Sequence, residues 1–325
     1  MIDLHHHFDG AFETETLYKE AKRRNLAQGK LSAEEFAARC QVPQDCNTLT
    51  DFLAVFNFFY DIAQDLNFLR DQAQKLPARM AAGGVLYLET RFGPHLFTGD
   101  AYSAEQVTQA VVEGIAAGKG APVRVILCAL RNAPIQHVQE LVDLYQKFHA
   151  HGVCGIDLAG DESKYACREY APVFDRAHQL GIPITIHAGE AAGPQSVYDA
   201  IDLFHARRIG HGIRSIEDER LMRRLADEKI GLEVCLTSNL QTGNAASYAA
   251  HPFMKLRAAG LKVTLNTDDP SVSGIDLNHE WAVALREYNL SVADQRELLL
   301  NSIDQAFCDA TLKATLREQV AARLS

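Results

Sequence analysis

Residues 4–10 read LHHHFDG, three adjacent histidines followed by an aspartate and a glycine. Ile2 and Leu4 precede them and Phe8 follows, so the stretch reads as a short apolar strand and not as a polar tag. Strand side chains alternate between faces, which sends His5 and His7 one way and His6 the other. Two imidazoles on one face can hold one metal ion if further ligands arrive from elsewhere; an ordinary histidine-rich strand is the alternative. Candidate partners lie far along the chain: His187 in HAGE (187–190), His211 in GHG (210–212), and the adjacent Asp268 and Asp269. The set His5, His7, His187 and Asp268 suits one Zn²⁺ with a position left open for water. Asp268 and Asp269 are neighbours and cannot point identically, so one can ligate while the other accepts a hydrogen bond from the attacking water or the substrate. A plain turn before Pro270 is the alternative for that pair.

Groups so scattered need a scaffold that converges them. Eight runs rich in β-branched and apolar residues recur: 2–8, 85–92, 123–130, 153–160, 182–189, 207–212, 231–238 and 261–269. Between them lie stretches with helical spacing of apolar residues, such as AEQVTQAVVEGIAAG. Strands alternating with helices imply a parallel sheet, and eight βα units predict a (β/α)₈ TIM barrel, an α/β fold, over residues 1–325 as one domain. Residues 11–80 are too long for one crossover and are read as a helical lid inserted after the first strand; residues after about 275 read as C-terminal helices. Most of the lid aromatics Phe52, Phe56, Phe58, Phe59 and Tyr60 are expected to pack on the barrel flank. Each run reads as apolar along its length and polar only at its C-terminal end, where such barrels place their chemistry. Charges converging there need a common partner, because burial without one costs several kcal/mol.

The formal net charge is −10, which argues against a nucleic-acid partner. No stretch reaches the roughly 18 apolar residues of a membrane span. The seven cysteines are scattered and form no CxxC pair, which points to neither a disulfide framework nor a cysteine metal knuckle and suits a cytoplasmic setting.

LHHHFDG, DLAGDE, HAGEAAGP, RIGHG, CLTSNLQTG and TLNTDDPSVSG, in this order, together resemble the adenosine deaminase family of metal-dependent hydrolases within the amidohydrolase superfamily. Phe8 stands where that family commonly has leucine. The resemblance implies a barrel with one zinc per chain and hydrolytic deamination of a small-molecule purine nucleoside, adenosine or 2′-deoxyadenosine, to inosine and ammonia. It implies His5, His7, His187 and Asp268 as zinc ligands, Glu190 as the acid that protonates purine N1, and His211 as the group that orients the attacking water and helps deprotonate it. Asp269 would bond that water and N7, the backbone N–H of Gly160 would meet N3, and Asp9 would reach the ribose 5′-hydroxyl. Leu49, Phe52, Leu53 and Phe56 would line the lid side of the pocket.

The chemistry of the residues is compatible with this. Zinc lowers the pKa of bound water to about 7, and attack at C6 is easier if N1 gains a proton. Glu190 follows His187 by three residues through a glycine and can face the same cavity. It must be protonated to donate, which a dry site favours; a helix N-terminal carboxylate is the alternative. The fourth run, VCGIDLAG, has no lysine to bridge a second metal, and the P-C-x-x-C signature of other zinc deaminases is absent. Rival substrates are adenine, N6-modified AMP and aminofutalosine; a catalytically silent nucleoside-binding homologue is a further alternative. Asp9 favours a ribose, since free-base relatives resemble HxHxEG. A phosphate-bearing substrate would need a base near the 5′ end, for which Arg91 or Lys164 remain open.

Overall fold

Runs of β-branched residues separated by long helical connections can pair only in parallel. In the computed structural model, which describes residues 1–324, they do so as β1 (Ile2–His7), β2 (Tyr87–Phe92), β3 (Val123–Leu130), β4 (Val153–Ala159), β5 (Thr185–Ala188), β6 (Arg208–His211), β7 (Gly231–Val234) and β8 (Lys262–Leu265). β1–β4 and β5–β8 form two consecutive four-stranded parallel sheets. Single bridges, Ile156 to Ile184 and His6 to Asp268, join them at both seams. At the second seam His7 N donates to Asp268 O and Asp268 N to His5 O, both at 2.7 Å. The fold is the expected (β/α)₈ barrel, and the seam between its first and last strands lies inside the cluster of candidate ligands.

The seventh run ends earlier than expected. β7 stops at Val234, and residues Leu236–Gln241 form a helix. A helix start exposes backbone N–H groups that need acceptors. Here the buried carboxylate of Glu280 supplies them, accepting from Leu236 N at 2.9 Å and Thr237 N at 3.2 Å. The run can therefore turn helical at the barrel mouth and carry Ser238 and Asn239 inward.

Within residues 11–80, Leu49–Ala54 and the turn Val55–Phe58 lie over the C-terminal mouth. Three of the five lid aromatics, Phe52, Phe56 and Tyr60, line the cavity there, more than the flank-packing expectation allowed. Phe59 packs edge-on against Phe12, and Phe58 against Phe36. The helix Leu66–Ala82 buries Phe68, Leu69 and Leu76 against the barrel flank.

The strands are not apolar along their length, and this corrects the reading of the runs. Glu89 and Arg91 of β2, Asp157 of β4, Arg208 of β6 and Glu233 of β7 are all fully buried and meet inside the barrel. Arg91 bonds Asp157 at 2.8 Å and Glu233 at 2.7 Å; Arg208 bonds Glu233 and Glu89, each at 2.6 Å. Branched apolar layers usually fill such a barrel; here an ion network underlies the mouth. Arg91 is thereby excluded from contact with a 5′-phosphate. Removing one member of a buried network leaves its partners charged and unpaired, which costs about 3–5 kcal/mol. Arg91→Met should lose about that much in urea unfolding at pH 7, and a loss below about 1 kcal/mol would show the network to be dispensable.

Candidate active site

A cavity opens at the C-terminal mouth. It is lined by His7, Asp9, Leu49, Phe52, Leu53, Phe56, Gly160, His187, Glu190, His211, Asp268 and Asp269 among others. Of the ligand, catalytic and substrate-contacting residues that the family resemblance implies, only His5 does not line it; its ring is fully buried, with centroids 5.5 Å from His7 and 4.5 Å from His187.

Short spacings link the four candidate ligands in sequence, and His7 also falls into a separate group with Asp268 and Asp269 whose ligand atoms lie within 4.8 Å of one another. His5 Nε2 and His7 Nε2 each lie 3.3 Å from Asp268 Oδ1, and His7 Nε2 lies 3.2 Å from His187 Nε2. Ligands about 2.0–2.1 Å from one ion at tetrahedral angles stand roughly 3.3–3.4 Å apart, so these spacings fit a metal of that kind. His5 Nε2 is buried with no hydrogen-bond partner. The outer nitrogens are held from behind: His5 Nδ1 lies 2.8 Å from Glu233, and His187 Nδ1 lies 3.0 Å from Asp157. Carboxylates on the far nitrogen fix the tautomer and aim Nε2 inward, the usual support of metal-bound histidine. Burial works against charge on Glu233, but Arg91 and Arg208 outweigh it and hold that carboxyl well below its ordinary range.

His211 belongs to this cluster too: one ligand atom from each of His5, His187, His211 and Asp268 lies within 4.8 Å of the others. Its Nε2 lies 3.8 Å from Asp268 Oδ2, an oxygen already bonded by Ser238 Oγ at 2.6 Å, and 3.7 Å from Glu190 Oε2. His211 and Asp268 both adopt left-handed backbone, φ 60° and 63°. Such strain in non-glycine residues clusters where side chains must be aimed. Gly10 and Gly210 are glycine because neighbours press on them. A Cβ on Gly10 would stand 2.0 Å from Asp269 Oδ1, and one on Gly210 2.9 Å from His5 Cε1.

Burial pushes the Glu190 carboxyl well above its ordinary range, and the charges of Asp268 and Glu162 add to it. Its Oε1 faces Thr242 Oγ1 at 3.2 Å, which leaves Oε2 toward the cavity. Asp269 is likewise pushed up, by burial and then by Asp268 beside it, and its Oδ1 is buried without a partner. Asp9 keeps Oδ1 unpartnered while Oδ2 accepts from Tyr60 Oη at 3.2 Å. Lys164 bonds Asp161 and Thr50 outside the cavity, and no lysine or arginine lines it among the described residues.

Several supporting residues escaped the sequence reading. Asp157 and Glu233 carried a usable signal, being inward-facing acids within strands. Glu162, the last residue of DLAGDE, accepts from the backbone nitrogens of Gly189, Glu190 and Ala192 and so shapes the turn that presents Glu190. Nothing in its position marks that role. Tyr60, Ser238, Asn239 and Thr242 depend on contacts between distant elements.

Comparison with known proteins gives a consistent result. The family model described as adenosine deaminase matches residues 1–323. An adenosine deaminase of Haemophilus ducreyi is 37% identical over 331 residues, covering 99% of this chain and 96% of its own. Among solved structures, an adenine deaminase of Arthrobacter aurescens superposes with TM-score 0.91 at 27% identity, covering 99% of this chain and 98% of that one. An Arabidopsis ADAL structure complexed with IMP gives 0.89 at 25% identity, covering 99% and 96%.

If the Glu233 carboxylate sets the His5 tautomer, Glu233→Gln should weaken binding of added Zn²⁺ by roughly 10–100-fold, measured by competition with a chelator. Unchanged affinity in a folded variant would refute this supporting role.

Proposed function

The chain belongs to the adenosine deaminase family, and from that membership we propose that it is a zinc-dependent hydrolase converting adenosine and 2′-deoxyadenosine to inosine or 2′-deoxyinosine and ammonia. The observation that carries the reading is the chain of 3.2–3.3 Å spacings that links His5, Asp268, His7 and His187 beside Glu190, whose carboxyl is pushed by burial well above its ordinary range.

His5, His7, His187 and Asp268 would hold one Zn²⁺. Bound there, the ion supplies Lewis acidity and a water whose pKa falls to about 7. Glu190 donates a proton to ring N1 as attack on C6 builds electron density there. His211 Nε2 sits between Glu190 Oε2 and Asp268 Oδ2 and contacts the attacking oxygen. Asp269, with Oδ1 free to bond, takes N7 and the water. Gly160 offers its backbone N–H to N3. Asp9 and Tyr60 receive the 5′-hydroxyl, and Leu49, Phe52, Leu53 and Phe56 cover the purine and exclude water.

A 5′-hydroxyl is favoured over a 5′-phosphate for a stated reason. The cavity holds Asp9 and no cation among the described residues, and burying a phosphate without a cation is costly. An adenine deaminase among the solved neighbours makes the free base the second substrate to test. A panel of adenine, adenosine, deoxyadenosine, AMP and aminofutalosine, scored by ammonia release, should place adenosine and deoxyadenosine first. Glu190→Gln should lower kcat by about 10²–10⁴-fold while the protein retains stoichiometric zinc. Full turnover in that variant would remove Glu190 from the acid role.

A further inference from the structure

His211 carries a hydrogen-bond chain on the nitrogen that faces away from the cavity. Its Nδ1 lies 3.1 Å from Asn239 Nδ2, Asn239 Oδ1 lies 3.1 Å from His251 Nε2, and His251 Nδ1 lies 3.1 Å from the backbone nitrogen of Phe253. Amide orientation and imidazole tautomer follow from counting hydrogens along such a network. One end of this count is invariable. A backbone N–H only donates, so His251 Nδ1 accepts. Burial pushes the His251 imidazole down to about 4, so the ring is neutral and its single hydrogen lies on Nε2. That hydrogen requires the carbonyl oxygen of Asn239. The Asn239 amide nitrogen is then left to donate to His211 Nδ1. Reversing Asn239 would set its N–H against His251 Nε2–H, and reversing His251 would set N–H against the Phe253 amide. The same donor opposes a hydrogen on His211 Nδ1, whether that ring carries one hydrogen or two.

We propose that Asn239 and His251 are positioning residues that fix His211 with its hydrogen on Nε2, so that His211 meets the reacting oxygen as a hydrogen-bond donor and not as the acceptor of the water's proton. This rests on the assignment of His211 to the site of attack. The surroundings of Nε2 suit a donor, since the Asp268 carboxylate oxygen Oδ2 stands 3.8 Å from it. The chain is also rigid. Asn239 is fully buried and His251 nearly so, and the helix bearing Asn239 starts against Glu280. A donor preset toward developing negative charge needs no reorganisation during the reaction. The role that family resemblance gives to His211, helping to deprotonate the water, is thereby reversed in polarity; the water's proton passes instead to Asp269, whose unpartnered Oδ1 is set on the same water, and leaves with the departing amine as ammonia.

Nitrogen NMR of zinc-loaded protein labelled with ¹⁵N-histidine reads the tautomer directly, with the His211 signals identified by their loss in His211→Gln. The expected pattern is a protonated Nε2 and a bare Nδ1. A hydrogen on Nδ1, alone or together with one on Nε2, overturns the proposal. Two variants test the positioning residues themselves. Asn239→Leu and His251→Phe should each lower kcat roughly 10–100-fold, less than the loss of a whole oxyanion donor, while KM for adenosine stays within about twofold. Undiminished kcat in both also overturns it. The NMR measurement needs no turnover, so a failure of the deaminase reading, such as inertness toward every adenine derivative, is distinguishable from a failure of this one.

Discussion

Arg91 is fully buried, and its guanidinium bonds Asp157, Glu233 and the carbonyl of Leu4 at once. Those two carboxylates are the ones that hold the outer nitrogens of His187 and His5. One planar cation therefore ties together β4 and β7, which are not neighbours in the barrel, and sets the direction of two imidazoles. An apolar layer of the same volume could fill the space but could not orient rings, because dispersion has little directionality while a hydrogen bond has much. The ion network is best understood as a template for the mouth above it. Its desolvation cost is offset by the number of bonds each member makes, as Glu233 illustrates by accepting from Arg91, Arg208, His5 and Thr185.

Above this template the backbone itself is bent to serve the site. His211 and Asp268 take left-handed conformations, each costing of order 1–3 kcal/mol. Asp268 is held there by the paired backbone bonds of the barrel seam, and Gly212, after His211, donates its N–H to Ala188 O at 3.0 Å. The strain is thus confined to points where strand pairing over-determines the chain. Gly10 and Gly210 complete the arrangement by letting Asp269 and His5 approach to distances that any side chain would block.

Much of this was legible in the residues. Period-two alternation correctly put His5 and His7 on one face, and the C-terminal ends of the eight runs did gather at one mouth with Glu190, His211, Asp268 and Asp269. What the runs concealed was their interior. Arg91 and Glu233 sit among Leu, Val and Phe and were absorbed into an apolar average, although alternation aims them inward as surely as it aims the histidines. Ser238 and Asn239 were read as a strand end because β-branched and apolar residues precede them. The change to helix is decided by Glu280, more than 40 positions away, and local pattern carries no trace of that. His251 lies in a segment with no periodicity at all, and its part depends on a backbone amide two residues on.

The seam between β1 and β8 has a bearing on how the molecule is made. β1 gains its second neighbour only through residue 268, so during synthesis one side of that strand stays unpaired until more than 260 residues have been added. At ordinary translation rates that interval lasts on the order of tens of seconds. An unpaired edge is a template for association with other chains. Two imidazoles meanwhile lack the carboxylate that stands 3.3 Å from each of them, so the cluster at the mouth comes into being only at the last stage of barrel closure, which joins the first-made strand to one of the last.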